Sequence, residues 1–211
     1  QVASLSGSLV REAGENVGGY DIALGTLSNP NYAISFAEAT FTIDPATLRV
    51  VATPATKVYG DPDPDLAFVA TGFQFADTAA SVLTGALERT PGETVAGSPY
   101  LIGLGTLSAG PNYVIAFDTA PFSISRRLLT LVLTGSISRT YDATVVATVG
   151  PGNLQLGGVL PGDVVTATVG SGAFDTPDVG IGKIVTANGV TLTGAAANNY
   201  AVAPVRVTPL A

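Results

Sequence analysis

Cysteine, histidine, methionine and tryptophan are all absent from the 211 residues. Without cysteine there is no disulfide, so each small unit must be held by its own core or by its neighbours. The joint lack of Cys and His removes the commonest general base, the usual nucleophile–base pairs and the commonest transition-metal ligands. Only two lysines occur, Lys57 and Lys183, and neither stands in a Ser-x-x-Lys motif. The chain is therefore not expected to be an enzyme. Charge is scarce as well: 12% of residues are charged, against about a quarter in ordinary domains. The surface must be largely Thr, Ser, Asn, Gly and small apolar groups. A net charge of −7 with no basic patch argues against nucleic acid. No apolar run approaches the roughly 18 residues of a membrane span, so no membrane insertion is expected, and no stretch resembles a signal peptide.

What the chain does have is repetition. Gly25-Thr26-Leu27-Ser28-Asn29-Pro30-Asn31-Tyr32 returns as Gly105-Thr106-Leu107-Ser108-Ala109-Gly110-Pro111-Asn112-Tyr113. A weaker echo is Leu192-Thr193-Gly194 followed by Asn198-Asn199-Tyr200. Each is a strand end, a Gly/Pro/Asn turn, and a Tyr opening an alternating strand, which marks a tandem array. Leu5-Ser6-Gly7 matches Leu83-Thr84-Gly85, and Gly14-Glu15-Asn16-Val17 matches Gly92-Glu93-Thr94-Val95. Residues 1–45 thus read as the second half of a unit whose complete copy is 46–125, and residues 126–211 form a third unit with a different body. Strands are expected near 48–52, 66–70, 85–90, 99–107, 113–117 and 120–125. The only helix signal is one turn near Thr78–Leu83, with Thr78 at its N-cap. Val164-Val165-Thr166-Ala167-Thr168-Val169 alternates as a half-buried strand does. The fold class is all-β, a tandem array of small domains, each a β-grasp-like sheet or an Ig-like sandwich. No Gly/Ser linker separates the units, so strand runs into strand and an extended rod is expected.

Three carboxylates, Asp61, Asp63 and Asp65, alternate in an extended Pro-stiffened segment and are candidate Ca²⁺ ligands. The other reading is a stiff turn with solvated acids, because the Gly and closing Glu of an EF-hand loop are missing. Asp175 and Asp178 are a lesser candidate pair. The recurring Asn-Tyr pairs are read as structural, with each Tyr over a sheet edge and its hydroxyl bonded locally. Arg126-Arg127 is expected in a junction salt bridge to Asp118. Phe73, Phe75, Phe122 and Phe174 fit strand patterns.

Lys57-Val58-Tyr59-Gly60-Asp61-Pro62-Asp63-Pro64, with Leu83-Thr84-Gly85 and Pro111-Asn112-Tyr113, resembles the MBG-type repeat of bacterial surface proteins. Arg139-Thr140-Tyr141-Asp142-Ala143-Thr144, with Gly162-Asp163-Val164-Val165 and Val179-Gly180-Ile181-Gly182-Lys183, resembles the YDG-type repeat, with Ala143 where that pattern has Gly. The resemblance implies large secreted proteins akin to filamentous haemagglutinins, exported by two-partner secretion to a Gram-negative cell surface. It implies a stalk or filament segment of an adhesin or matrix protein. The alternative is a module that itself binds a glycan or host surface protein. Neighbouring repeats are the expected partners. Residues 1–45 lack opening strands, so strands at 20–27 and 32–36 are expected to expose an edge. Either the missing half lies upstream in a longer protein, or another subunit supplies it by β-strand complementation, with Pro204–Ala211 as the donor candidate.

Overall fold

A computed structural model describes residues 4–202. The first repeat contributes β1 (Val10–Arg11), β2 (Gly18–Ala23) and β3 (Ala39–Ile43). The second contributes β4 (Ala46–Ala52), β5 (Ala55–Val58), β6 (Phe68–Thr71), helix α1 (Ala79–Val82), β7 (Leu83–Thr84), β8 (Glu88–Arg89), β9 (Tyr100–Gly103), β10 (Ser108–Ala109), β11 (Tyr113–Asp118) and β12 (Ala120–Ser125). The third contributes β13 (Arg127–Leu133), β14 (Val146–Ala147), β15 (Leu154–Gly157), β16 (Thr166–Thr168), β17 (Ser171–Phe174), β18 (Val185–Asn188), β19 (Thr191–Thr193) and β20 (Tyr200–Val202). The chain is nearly all-β. Its four-residue helix starts where expected, because the Thr78 hydroxyl accepts from the Ser81 N–H and the Ser81 hydroxyl accepts from the Thr78 N–H.

Contacts divide the chain into two compact units. One comprises residues up to Thr53, Leu66–Glu88 and Ile102–Ala120; the other comprises Pro54–Asp65, Arg89–Leu101 and residues from Pro121 on. In the first unit β4 lies at the centre of the sheet β11-β4-β6. It runs parallel to β11, with Tyr113 opposite Ala46, and antiparallel to β6. Its alternation is strict: Leu48, Val50 and Ala52 point inward and are buried, while Thr47 and Arg49 stay exposed. Each large apolar side chain buried this way contributes on the order of 1.5–3 kcal/mol. The other unit carries most of the sheet β5-β12-β9-β8, in which β5 and β12 are parallel. It also holds β15-β13-β20, where β13 runs parallel to β20 with Tyr200 opposite Arg127, and antiparallel to β15. That order repeats β6-β4-β11. The second and third repeats therefore share one central arrangement although their bodies differ in sequence. Parallel pairs between opening and closing strands depart from an entirely antiparallel sandwich, one of the two expected topologies.

A cross-strand hydroxyl pair followed by a glycine recurs in each repeat, and Thr168 faces Thr191 as a further pair without the glycine. Ser6 faces Ser28, Thr84 faces Ser108, and Thr166 faces Thr193, with hydroxyls at 3.3, 3.1 and 2.7 Å. The glycine after it is required: at Gly85, φ is +88° and a Cβ would lie 2.1 Å from the Thr106 carbonyl oxygen.

Three expectations fail locally. Residues 32–36 are not a strand, although their pattern alternates. Their counterpart β11 is held by β4, whereas no strand pairs with residues 32–36 among the described residues. Of the expected strands at 85–90 and 99–107 only β8 and β9 form, and β7 and β10 lie just outside those spans, beyond Gly85 and Gly105. Phe73 and Phe75 are in no strand; Phe75 sits in a turn at φ 53° and is fully exposed. Among residues 4–45 none is buried. The donor candidate Pro204–Ala211 lies outside the described residues.

Candidate functional site

Each seam between repeats is built around an Asn-Tyr pair, placed where the closing strand meets the opening strand. At the first seam the Asn112 carbonyl accepts from the Ala46 N–H at 2.9 Å, which starts the parallel ladder. The Asn112 side chain points back into the preceding repeat. Its Oδ1 accepts from the Val17 N–H at 2.9 Å, and its Nδ2 donates to Asn16 Oδ1 at 3.0 Å. At the second seam Asn199 is buried, and its Oδ1 accepts from the Val95 N–H, again at 2.9 Å. Val17 and Val95 hold the same place in the loops that begin Gly14-Glu15 and Gly92-Glu93. Each loop is closed at its base by one backbone bond, Glu12 to Asp21 or Thr90 to Leu101. One amide thus bridges consecutive repeats, twice, in the same way.

The tyrosine beside each hook closes its own repeat. The Tyr113 hydroxyl donates to Asp77 Oδ2 at 2.6 Å and accepts from the Gln74 N–H at 2.9 Å. The Tyr200 hydroxyl donates to Asp163 Oδ2 and accepts from the Leu160 N–H at 3.0 Å. In both cases the acid sits three residues after the donor N–H, in a turn closed by its own backbone bond of 3.1 Å. Both rings are buried. The hydrogen bond to Asp77 raises the Tyr113 pKa, with desolvation adding to it. Burial raises Tyr200, and the bond to Asp163 adds to it. The expected local bonding of these hydroxyls is therefore corrected: the partners are carboxylates 36 and 37 residues earlier in the chain.

At the second seam Tyr59 of the middle repeat joins the core of the third. Its ring meets Tyr200 edge-on at 5.4 Å and 78°. It packs against the cluster of Leu129, Ala196 and Tyr200, and its hydroxyl donates to Asp163 at 3.1 Å. Burial raises the Tyr59 pKa, as does that bond. The next residue must be glycine: Gly60 has φ +84°, and a Cβ there would come within 2.1 Å of Leu160 Cδ1. Arg127 Nη1 ties the loop down by donating to the Tyr59 carbonyl at 3.1 Å and to Asp61 Oδ1 at 2.9 Å. The expected pairing of Arg126-Arg127 with Asp118 does not form. Arg126 Nε donates to the Asn198 carbonyl, and Asp118 pairs with Arg49.

Below that loop lies a four-membered charge cluster. Lys57, its side chain 5% exposed, donates to Asp63 at 2.6 Å and to Glu93. Arg89 is nearly as buried. Its Nε donates to Asp63 Oδ2 at 2.5 Å, its Nη2 to Asp63 Oδ1 and Glu93, and its guanidinium stacks 4.7 Å from the Phe122 ring. The bonds from Arg89, against some desolvation and with help from Lys57, bring the Asp63 carboxyl from 3.8 to about 2. Burial alone would depress Lys57, but Asp63 and Glu93 outweigh it and its pKa is raised.

A family profile described as the MBG domain (YGX type) matches residues 1–42 and 48–123. The chain belongs to the MBG family. Its last third, residues 125–207, matches the profile of the YDG domain. No curated protein and no solved structure matches the chain. Membership of these repeat families supports a general structural or binding role.

The sequence-proposed acids of the MBG repeat fall in different places. Asp63 is committed to Lys57 and Arg89, Asp61 pairs with Arg127, and Asp65 is exposed. In the YDG domain Asp175 lies 4.0 Å from Lys183, and Asp178 is exposed. Among the described residues no group of three or more His, Cys, Asp or Glu side chains is placed to hold a metal ion. A concavity of about 360 Å³ lies in the YDG domain between Ser136–Arg139 and Lys183–Val185. Ala143, where the YDG-type pattern has Gly, takes the left-handed conformation, with φ 62°.

Proposed function

We propose that this chain is a non-catalytic load-bearing segment of a secreted bacterial surface adhesin or extracellular filament, exported by two-partner secretion in a Gram-negative cell. Its repeats are coupled end to end. The observation that carries the reading is the twice-built seam, in which Asn112 and Asn199 each take the N–H of a valine in the preceding repeat at 2.9 Å. A side-chain amide bridging two repeats does no chemistry. It fixes the twist and spacing of neighbours, which is what a stalk requires. Without the hook, the part-buried N–H on the other side is left unpaired, at a cost of about 1–3 kcal/mol. The supporting contacts at the second seam, Tyr59 on Tyr200 and Arg127 on Tyr59, are of the same kind.

The experiment combines amide exchange with solution scattering. Wild-type protein is expected to give a radius of gyration well above the roughly 17 Å of one compact domain of this length. Asn199→Ala is expected to speed exchange at the Val95 amide and broaden the distribution of particle lengths, while leaving strand amides in β4 and β11 unchanged. A compact wild-type particle, or a Val95 amide that ignores the substitution, refutes the coupling.

A further inference from the structure

We infer that the loops carrying Tyr141 and Val179 in the YDG domain form a third seam half, the receiving face for a following repeat that presents its own Asn-Tyr pair. This rests on the stalk reading above and deepens it, because it assigns a partner to a surface that holds none among the described residues. The counterparts are fixed by backbone pairing. Tyr200 opposite Arg127 repeats Tyr113 opposite Ala46, so β13 corresponds to β4, and Leu129 to Leu48. Tyr59 in the MBG repeat then lies 11 residues after Leu48, and Tyr141 in the YDG domain 12 residues after Leu129. The second receiving loop is closed by the backbone bond from Asp175 to Ile184, as its counterparts are closed from Glu12 to Asp21 and from Thr90 to Leu101. Val179 sits four residues into it, where Val17 and Val95 sit five residues into theirs.

What differs is cover. Val17, Val95 and Tyr59 are half-buried, since an Asn-Tyr pair of the next repeat reaches Val17 and Val95, and Tyr59 lies against Tyr200. Tyr141 is 61% exposed, Val179 86% and the neighbouring Ile181 fully. Yet the loops are held. Arg139 donates to Asp142 Oδ2 at 3.0 Å and to Thr144 Oγ1 at 2.5 Å, and Lys183 donates to the Thr176 carbonyl at 3.0 Å. Ordered loops that show a Tyr, a Val and an Ile to solvent at the place where two other repeats receive their successors have the features of a docking face. The occupant that fits is a repeat of MBG or YDG type: its Asn side chain takes the Val179 N–H, and its Tyr ring lies edge-on to Tyr141.

The test extends the chain by one unit, joining residues 1–208 to a second copy of residues 126–211, and reads amide hydrogen exchange. Exchange at Val179 is expected to slow about tenfold relative to the 211-residue chain. Converting the added copy's counterpart of Asn199 to alanine restores the fast rate, while the added copy's Leu160 amide stays protected and so reports that the unit is folded. Residues 45–125, which bring Asn112-Tyr113, serve as a second added unit with the same expected protection. If neither added unit slows Val179, the inference is overturned. Protection at Val179 that appears in the unextended chain as its concentration rises also overturns it, because the occupant is then a second copy. The Val95 amide separates the two readings: if it stays protected by Asn199 while Val179 does not respond, only this inference falls, and if Asn199→Ala leaves Val95 unchanged, the stalk reading falls too.

Discussion

Replacing Asp63 with asparagine removes the negative charge and one acceptor oxygen shared by Lys57 and Arg89 while keeping the side chain's shape. In the folded chain the carboxyl titrates at about 2, against 3.8 for the free group. A difference of roughly two units sets a ceiling of about 2.5 kcal/mol. The Asp63 side chain is 39% exposed, so solvent screening cuts this by about half, to roughly 1–1.5 kcal/mol. The sign follows from the direction. A depressed folded pKa gives stability that is fully present above the unfolded value near 4 and is lost as pH falls towards 2. Thermal unfolding of wild type and Asp63→Asn is followed by circular dichroism from pH 7 to pH 2.5. At neutral pH the variant is expected to melt about 5 °C lower for a domain of this size. Lys57, with its side chain 5% exposed, then keeps only Glu93 as a charged partner, which adds to the loss. Most of the gap should close between pH 4 and pH 2.5, while Glu93, also lowered, keeps some slope in both proteins. Parallel curves across that window would refute the assignment of acid sensitivity to Asp63.

Three further outcomes are expected. Ala143→Gly relieves a left-handed alanine at φ 62° and should stabilise the YDG domain by about 0.5–1 kcal/mol, the strain released exceeding the entropy glycine adds; an unchanged or lower melting temperature refutes it. Absorbance at 295 nm should show Tyr59, Tyr113 and Tyr200 ionising late, with stability falling as pH rises past about 10; three ordinary titrations would refute their burial and carboxylate bonds. Ca²⁺ at millimolar levels should leave the melting temperature unchanged, because both Asp63 oxygens already hold cationic side chains; a rise that Asp63→Ala abolishes would refute that.

The repeats were legible because their turns recur in the same words, and with them the all-β class, the Thr78 cap and a strand at 48–52. The role of the tyrosines was not, because a hydroxyl's partner need not be its neighbour. A signal did exist: Asp77 and Asp163 precede Tyr113 and Tyr200 by nearly the same interval. The hooks gave less warning. Val17 and Asn112 are 95 residues apart, Val95 and Asn199 are 104, and neither valine has any mark of a binding residue. Alternation misled at residues 32–36 since a strand needs a partner as well as a pattern. Alternation also cannot show that Asp63, one of three evenly spaced acids, faces two cations while its neighbours do not.

The seams also explain how two repeat types follow one another in a single chain. The incoming end is the same in the MBG and YDG repeats: an Asn that reaches backward, a Tyr that starts the closing strand, and an acid three residues into a turn that the Tyr caps. Nothing in that set depends on the body of the domain. An Asn side chain is costly to bury unless its amide is bonded, and in both complete repeats the bond comes from the repeat before. The polar hook adds orientation more than affinity, because an exposed amide exchanges freely with water and a docked one meets one particular N–H. Apolar contacts such as Tyr59 on Tyr200 supply the adhesion, and the Asn selects the single register in which that adhesion leaves no buried donor unpaired.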